Sequence, residues 1–154
     1  HDSWNASTHE VAPLDDFPCL RNVLAASMQN LGGGELEPVR LNVICSQYLA
    51  DDSITMHTDK EWFEENVFGC ILVNNSNRSL EFHEACGGDC KTISYYAIDE
   101  SPGTCFWQRG KARFGWRHGI APVTHGERTS VTWRWFKPEV CLRKESEVSS
   151  PVAT

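Results

Sequence analysis

The sequence predicts a mainly β domain of the jelly-roll kind, a small sandwich or barrel preceded by one helix. Three observations predict it. One segment near the N-terminus has helical spacing and stops at three consecutive glycines. After those glycines the hydrophobic period changes from near 3.6 to two. The period-two runs are short, numerous and separated by loops rich in Gly, Asn, Ser or Pro.

In chain order, residues 1–13 read as a loose lead-in. Phe17, Leu20, Leu24, Met28 and Leu31 then predict an amphipathic helix over 14–31. Pro18 belongs in its first turn, where a missing N–H costs least, and Gly32-Gly33-Gly34 is its stop. The run from Val39 to Tyr48 alternates and predicts a strand. Residues 50–53, Ala-Asp-Asp-Ser, predict a turn before a short strand over 54–57. Further strands are expected over 67–74, 79–84, 92–98, 104–107, 113–118 and 128–136. Residues 137–154 are mostly polar with Ser and Pro, and read as a tail or linker after a domain spanning 1–136.

Composition sets the bounds. The chain has 154 residues, 14 Lys+Arg and 21 Asp+Glu, for a net charge of −7. That length suits one domain. The apolar share of 40% and charged share of 23% exclude a collagen, a coiled coil and a wholly disordered chain. The acidic balance argues against a generally basic nucleic-acid grip, though a local basic groove is compatible with it. No run approaches the roughly 18–20 apolar residues of a membrane-spanning helix, so no membrane partner is expected. The chain opens without Met on the polar stretch HDSWNASTHE, which reads as a domain cut from a longer chain. Seven cysteines at irregular spacing are an odd set. They suggest a reducing compartment, the cytoplasm, with most thiols acting as small buried apolar groups.

The chemistry begins at His57-Thr-Asp59. On a strand, residues i and i+2 share a face, so an imidazole and a carboxylate would project together. One more imidazole would complete a two-His, one-carboxylate facial triad, which suits non-haem Fe(II) and leaves positions open. His118, in Trp116-Arg-His-Gly-Ile120, is the best third ligand. Alone, an H-x-D pair is also what chance supplies. Ten residues later comes Arg128-Thr-Ser-Val-Thr-Trp-Arg134. Its even positions form a polar face with a guanidinium at each end. Guanidinium groups grip carboxylates in a bidentate fork, as a dicarboxylic co-substrate would need. By itself the same face is what an exposed strand with two surface arginines presents.

In this order, Tyr48, His57-Thr-Asp59-Lys-Glu61, His118-Gly-Ile120 and Arg128-Thr-Ser-Val-Thr-Trp-Arg134 resemble the AlkB family of Fe(II)/2-oxoglutarate dioxygenases. The family pattern is a strand Tyr, H-x-D-x-E, a distant His-Gly-Ile-like element and R-x-[NS]-x-T-x-R. The resemblance spans about residues 39–136. Its short form looks most like the AlkB-type domains of replication polyproteins in plant positive-strand RNA viruses. It implies a double-stranded β-helix, the jelly-roll, with an N-terminal supporting helix. It implies Fe(II) and 2-oxoglutarate as cofactors, O2 as co-substrate, and oxidative removal of N-methyl groups from bases. The substrate would be methylated single-stranded nucleic acid, RNA before DNA, carrying N1-methyladenine or N3-methylcytosine. Other domains of a larger polyprotein would be partners, in the host-cell cytoplasm if the chain is viral.

The resemblance also implies roles. His57, Asp59 and His118 would be the iron ligands. Arg128 would pair with the far carboxylate of 2-oxoglutarate, and Tyr48 would donate to the co-substrate with Ser130 and Arg134 beside it. Glu61 would contact the substrate base, because a carboxylate favours a cationic methylated base; the same residue also reads as a solvated charge. Ser46 and Ser130 stand where relatives often carry Asn, and Trp133 where Phe is usual.

Other readings remain. The same fold could oxidise a protein or a small molecule, or could be an inactive binding module. His83, Cys86 and Cys90 have spacings a zinc ion could use, and a Gly-rich hairpin fits them equally. Trp107 and Trp116 could stack on a base or sit in the core. Asp99-Glu-Ser-Pro102 reads as a turn, and His125 as a loop residue.

Overall fold

A computed structural model of the chain describes residues 13–36, 40–84 and 95–140. The chain divides into two compact units, residues 1–38 and 39–154. In the first, a 3-10 turn at Leu14–Asp16 leads into α1, Pro18–Leu31. Pro18 occupies the first turn. Gly32 takes the left-handed conformation at φ 68° and ends the helix. The N–H groups of Gly32 and Gly33 then satisfy the carbonyls of Gln29 and Met28 at 3.1 and 2.9 Å.

Among its described residues the second unit carries eight strands: β1 Leu41–Tyr48, β2 Ile54–His57, β3 Phe63–Asn74, β4 Glu81–Glu84, β5 Tyr95–Ala97, β6 Cys105–Gln108, β7 Trp116–Ile120 and β8 Arg128–Phe136. A four-residue helix, α2, Lys111–Phe114, precedes β7. The strands form two antiparallel sheets, ordered β1-β8-β3-β6 and β2-β7-β4-β5. Sequence neighbours are seldom sheet neighbours, which is the jelly-roll arrangement. The two sheets meet over Leu80, Phe82 and Ile120, against which Tyr48, Ile54, Ile98, Phe106 and Trp116 pack. The fold class expected from the sequence is therefore the one observed.

The elements differ from expectation where tertiary pairing overrides local pattern. β3 begins at Phe63, four residues early, because Phe63 pairs with Phe136 across a register shift before Val67. The polar Glu64-Glu65-Asn66 segment hides that start. Residues 113 and 114, expected in a strand, lie in α2 between Gly110 (φ 56°) and Gly115, and the strand starts at Trp116. Of the described cysteines only Cys70 is buried, while Cys19 and Cys45 are exposed, so the reading of cysteines as core residues fails for these. Cys86, Cys90 and residues 141–154 of the expected tail lie outside the described residues.

β8 is the organising strand, paired with β1 on one side and β3 on the other. Its odd face, Val131, Trp133 and Trp135, is buried. Phe68 of β3 stacks there on Trp133 at 5.7 Å and on Trp107 at 5.2 Å, with Trp135 edge-on at 5.8 Å. Its even face carries Arg128, Ser130, Thr132 and Arg134. Gly69 of β3 lies opposite Thr132 and Phe106. A Cβ at Gly69 would come within 2.0 Å of the Phe106 ring, so glycine makes room for that ring. Gly69→Ala should lower stability by about 1–3 kcal/mol, the scale of overpacking. Urea unfolding with an unchanged m-value checks it; wild-type stability would mean that Phe106 swings aside freely.

Candidate metal centre

β2 and β7 pair so that His57 stands directly opposite His118, after a register shift that absorbs one extra residue in β2. Gly119 allows the close approach: a Cβ there would meet the Ile54 carbonyl at 2.7 Å. The two rings lie 4.5 Å apart between centroids, tilted by 52°. Asp59 completes the group. One ligand atom from each of His57, Asp59 and His118 lies within 4.8 Å of the others. Among the described residues this is the one cluster of His, Cys, Asp and Glu side chains able to hold a metal ion.

Asp59 reaches the cluster by another route than a strand pleat. β2 ends at His57, and Asp59 lies in the loop beyond it. Its position is set by two arginines. Arg134 of β8 forms an ion pair and hydrogen bond with the Asp59 carboxylate, and its Nε donates to Asn42 Oδ1 at 3.2 Å. Arg113 of α2, fully buried, donates to the Asp59 carbonyl at 3.2 Å and the Lys60 carbonyl at 2.8 Å. Among the described residues the Arg113 Nε has no hydrogen-bond partner.

The imidazoles are also held in place. His57 Nδ1 lies 2.8 Å from the Thr55 carbonyl, so Nε2 would be the nitrogen offered to a metal. The Gln108 amide nitrogen lies 3.2 Å from His118 Nδ1 and 2.9 Å from the Ala112 carbonyl. Burial pushes His118 down to about 4; Asp59 opposes this, while His57, Arg113 and Arg134 add to it. Burial likewise lowers Arg134 and Arg113, against the pull of Asp59. At neutral pH the His118 ring is therefore neutral, the form that binds metal. Two imidazoles and one carboxylate, each with its outer partner, are a donor set that fits Fe(II) and would leave coordination positions open.

The expected co-substrate residues lie along the β1–β8 pairing. Ser130 faces Ser46 in the β1–β8 pairing, and Tyr48 stands opposite Arg128, whose guanidinium carbon is 5.7 Å from the Tyr48 ring. Arg128 is buried and paired with Glu100. Glu61 is exposed, next to half-exposed Trp62. Trp107 sits in the Phe68 stack with Arg109 over it at 4.2 Å, and Trp116 packs on the inter-sheet core. His83 packs edge-on against Tyr95. Sequence reading missed Arg113, Gln108, Asn42 and Glu100. Arg113, Asn42 and Glu100 act through partners 28 or more residues away, and Gln108 through Ala112 and His118 across the misassigned strand at 113, which masked a visible signal, the Gly110–Gly115 bracket.

No family model matches the chain, and no curated protein sequence matches it. Among solved structures it is similar to a prolyl-4-hydroxylase from Pseudomonas putida. The TM-score is 0.53 at 14% identity, over 82% of this chain and 71% of that one. At that identity the likeness shows a shared fold.

In chelator-treated protein, the unfolded chain takes up a proton at His118 near its ordinary value of 6.5, while the folded chain resists until about 4. Stability should thus be full above pH 6.5 and decline as pH falls toward 4. Denaturant titrations at pH 7 and 5 would show it, and His118→Leu should flatten that slope. Arg113→Met should weaken Mn(II) binding about 10–100-fold, as loss of an outer-shell support does; calorimetry on folded variant would show otherwise if Asp59 needs no clamp.

Proposed function

We propose that this domain is an Fe(II)- and 2-oxoglutarate-dependent oxygenase that removes N-methyl groups from nucleic-acid bases, single-stranded RNA before DNA. The observation that carries the oxygenase part is the convergence of His57, Asp59 and His118 at one place in a jelly-roll. Bound Fe(II) with 2-oxoglutarate and O2 would supply the oxidising power to hydroxylate an N-methyl carbon, whose product breaks down to formaldehyde and the free base.

The chain's own residues would do the rest. His57, Asp59 and His118 would hold the metal on one side and leave the other to reactants. Arg134 fixes the Asp59 carboxylate in orientation. Together with Arg113 it places positive charge beside the cluster, which favours an anionic co-substrate. Glu61 and Trp62 support the base reading: an exposed carboxylate beside an exposed indole suits a cationic, unstacked methylated base. A base presented this way must lie outside a duplex stack, which favours single strands.

A second reading is hydroxylation of a protein side chain. The similarity to a prolyl-4-hydroxylase favours it, as does the net charge of −7, which disfavours phosphate-rich partners.

The deciding experiment is anaerobic reconstitution with Fe(II) and 2-oxoglutarate. Oxygen and short single-stranded RNA carrying N1-methyladenine or N3-methylcytosine are then added. Mass spectrometry reads methyl loss and succinate in one tube, with His57→Ala as control. Methyl loss that vanishes in the variant is the expected result. Succinate without methyl loss would turn the search to peptide substrates. Neither product from folded, metal-loaded protein would overturn the oxygenase reading.

A further inference from the structure

At the opposite end of the even face of β8 from Arg134, Arg128 and Glu100 form the most buried ion pair among the described residues, with side chains 2% and 0% exposed. The Arg128 Nε and Nη2 each donate to one Glu100 carboxylate oxygen at 2.6 Å, a bidentate fork. Nη1 donates to Ser130 Oγ at 2.8 Å. The carboxylate is held by more than Arg128. The Leu80 backbone N–H donates to Oε1 at 3.1 Å, and the Asn74 amide donates to Oε2 at 3.3 Å. The same Asn74 amide lies 3.3 Å from the Glu100 carbonyl and 3.1 Å from that of Arg78. Glu100 is thus built into the connections after β3 and β5.

We propose that Glu100 is an internal competitor for the far carboxylate of the co-substrate. It makes Arg128 a weak anchor, and the site then takes 2-oxo acids with little regard to a charge at their far end. This rests on the oxygenase reading above, in which Arg128 would be that anchor. A guanidinium has five N–H donors, and three are already used here, including the fork that a carboxylate prefers. The pair as a whole is neutral, so it offers an incoming carboxylate little net attraction, and Glu100 repels it across a short, dry distance. Moving the Glu100 carboxylate aside would cost the Leu80 N–H this acceptor and the Asn74 amide one of its three, besides breaking the fork to Arg128. Selection among co-substrates then falls to the metal and the Arg134 end, where the 2-oxo acid group would sit.

The test compares 2-oxoglutarate with 2-oxopentanoate, which has the same carbon chain and a methyl in place of the far carboxylate. Their dissociation constants are measured by calorimetry on Mn(II)-loaded wild type and Glu100→Gln. Wild type should bind the two acids within a factor of about ten, less than one charge-assisted hydrogen bond would give. Glu100→Gln should favour 2-oxoglutarate by about tenfold more than wild type does, with 2-oxopentanoate affinity unchanged. The variant leaves a buried guanidinium short of charge and could be poorly stable. Thermal melts cover that case, since 2-oxoglutarate should raise the melting temperature of the variant more than that of wild type, and 2-oxopentanoate should not. A purely structural Glu100 would lower the melting temperature and leave the ratio of affinities unaltered, which would overturn the inference. Strong wild-type preference for 2-oxoglutarate, a hundredfold or more, would overturn it too. If neither acid binds either metal-loaded protein, the oxygenase reading itself fails and takes this inference with it.

Discussion

The Arg134–Asp59 ion pair is the interaction on which the site depends. Arg134 sits on β8, an inner strand of the first sheet, while Asp59 follows β2 of the second. The pair therefore joins the two sheets at the metal cluster. Without it, Asp59 would sit on a loop with no strand pleat to aim it. Arg113 reinforces the same point from α2 by holding the carbonyls of Asp59 and Lys60. One carboxylate faces two guanidinium groups, an excess of positive charge even before a dication binds. A buried excess of that kind calls for an anion, and a 2-oxo acid is one.

The even face of β8 puts polar groups where a jelly-roll would otherwise place apolar core. Burying charge is costly unless each group is paired and hydrogen-bonded. The fold meets this at both ends. Arg134 has Asp59 and Asn42, and Arg128 has Glu100 and Ser130. Between them Phe106, seated on Gly69, closes the interior with an aromatic ring. The odd face needs no such devices, because its tryptophans stack on Phe68. A strand with two buried faces of opposite chemistry is the most informative element of the chain.

That contrast explains what the sequence made legible. The alternation in 128–136 is strictly local, so strand, faces and the two arginines could be read directly. The helix was marked by Pro18 and Gly32, each with a single backbone role. His57 and His118 could be paired because one ends a short strand and the other lies on a later strand, in the right order. The placing of Asp59 was legible only in outcome: it joins the cluster, but through arginines rather than through the pleat. Glu100 and Arg113 left no periodic trace, since their partners lie 28 and 54 residues away. The start of β3 was lost to Glu64-Glu65-Asn66, where cross-strand pairing of Phe63 outweighs local polarity.

The distribution of charge also bears on how a nucleic-acid substrate could be held. The chain is acidic overall, so its surface gives phosphates little general attraction. The positive groups that matter are internal and already engaged by Asp59 and Glu100. Binding would then have to come from the base rather than the backbone, through exposed rings such as Trp62 and a carboxylate such as Glu61. Such a site gains little from strand length and much from the charge on the methylated base. Affinity for it should depend only weakly on salt, unlike that of a protein that grips the phosphate chain. A peptide substrate would meet the same exposed surface without the phosphate penalty, which is why the two readings separate on turnover and not on charge alone.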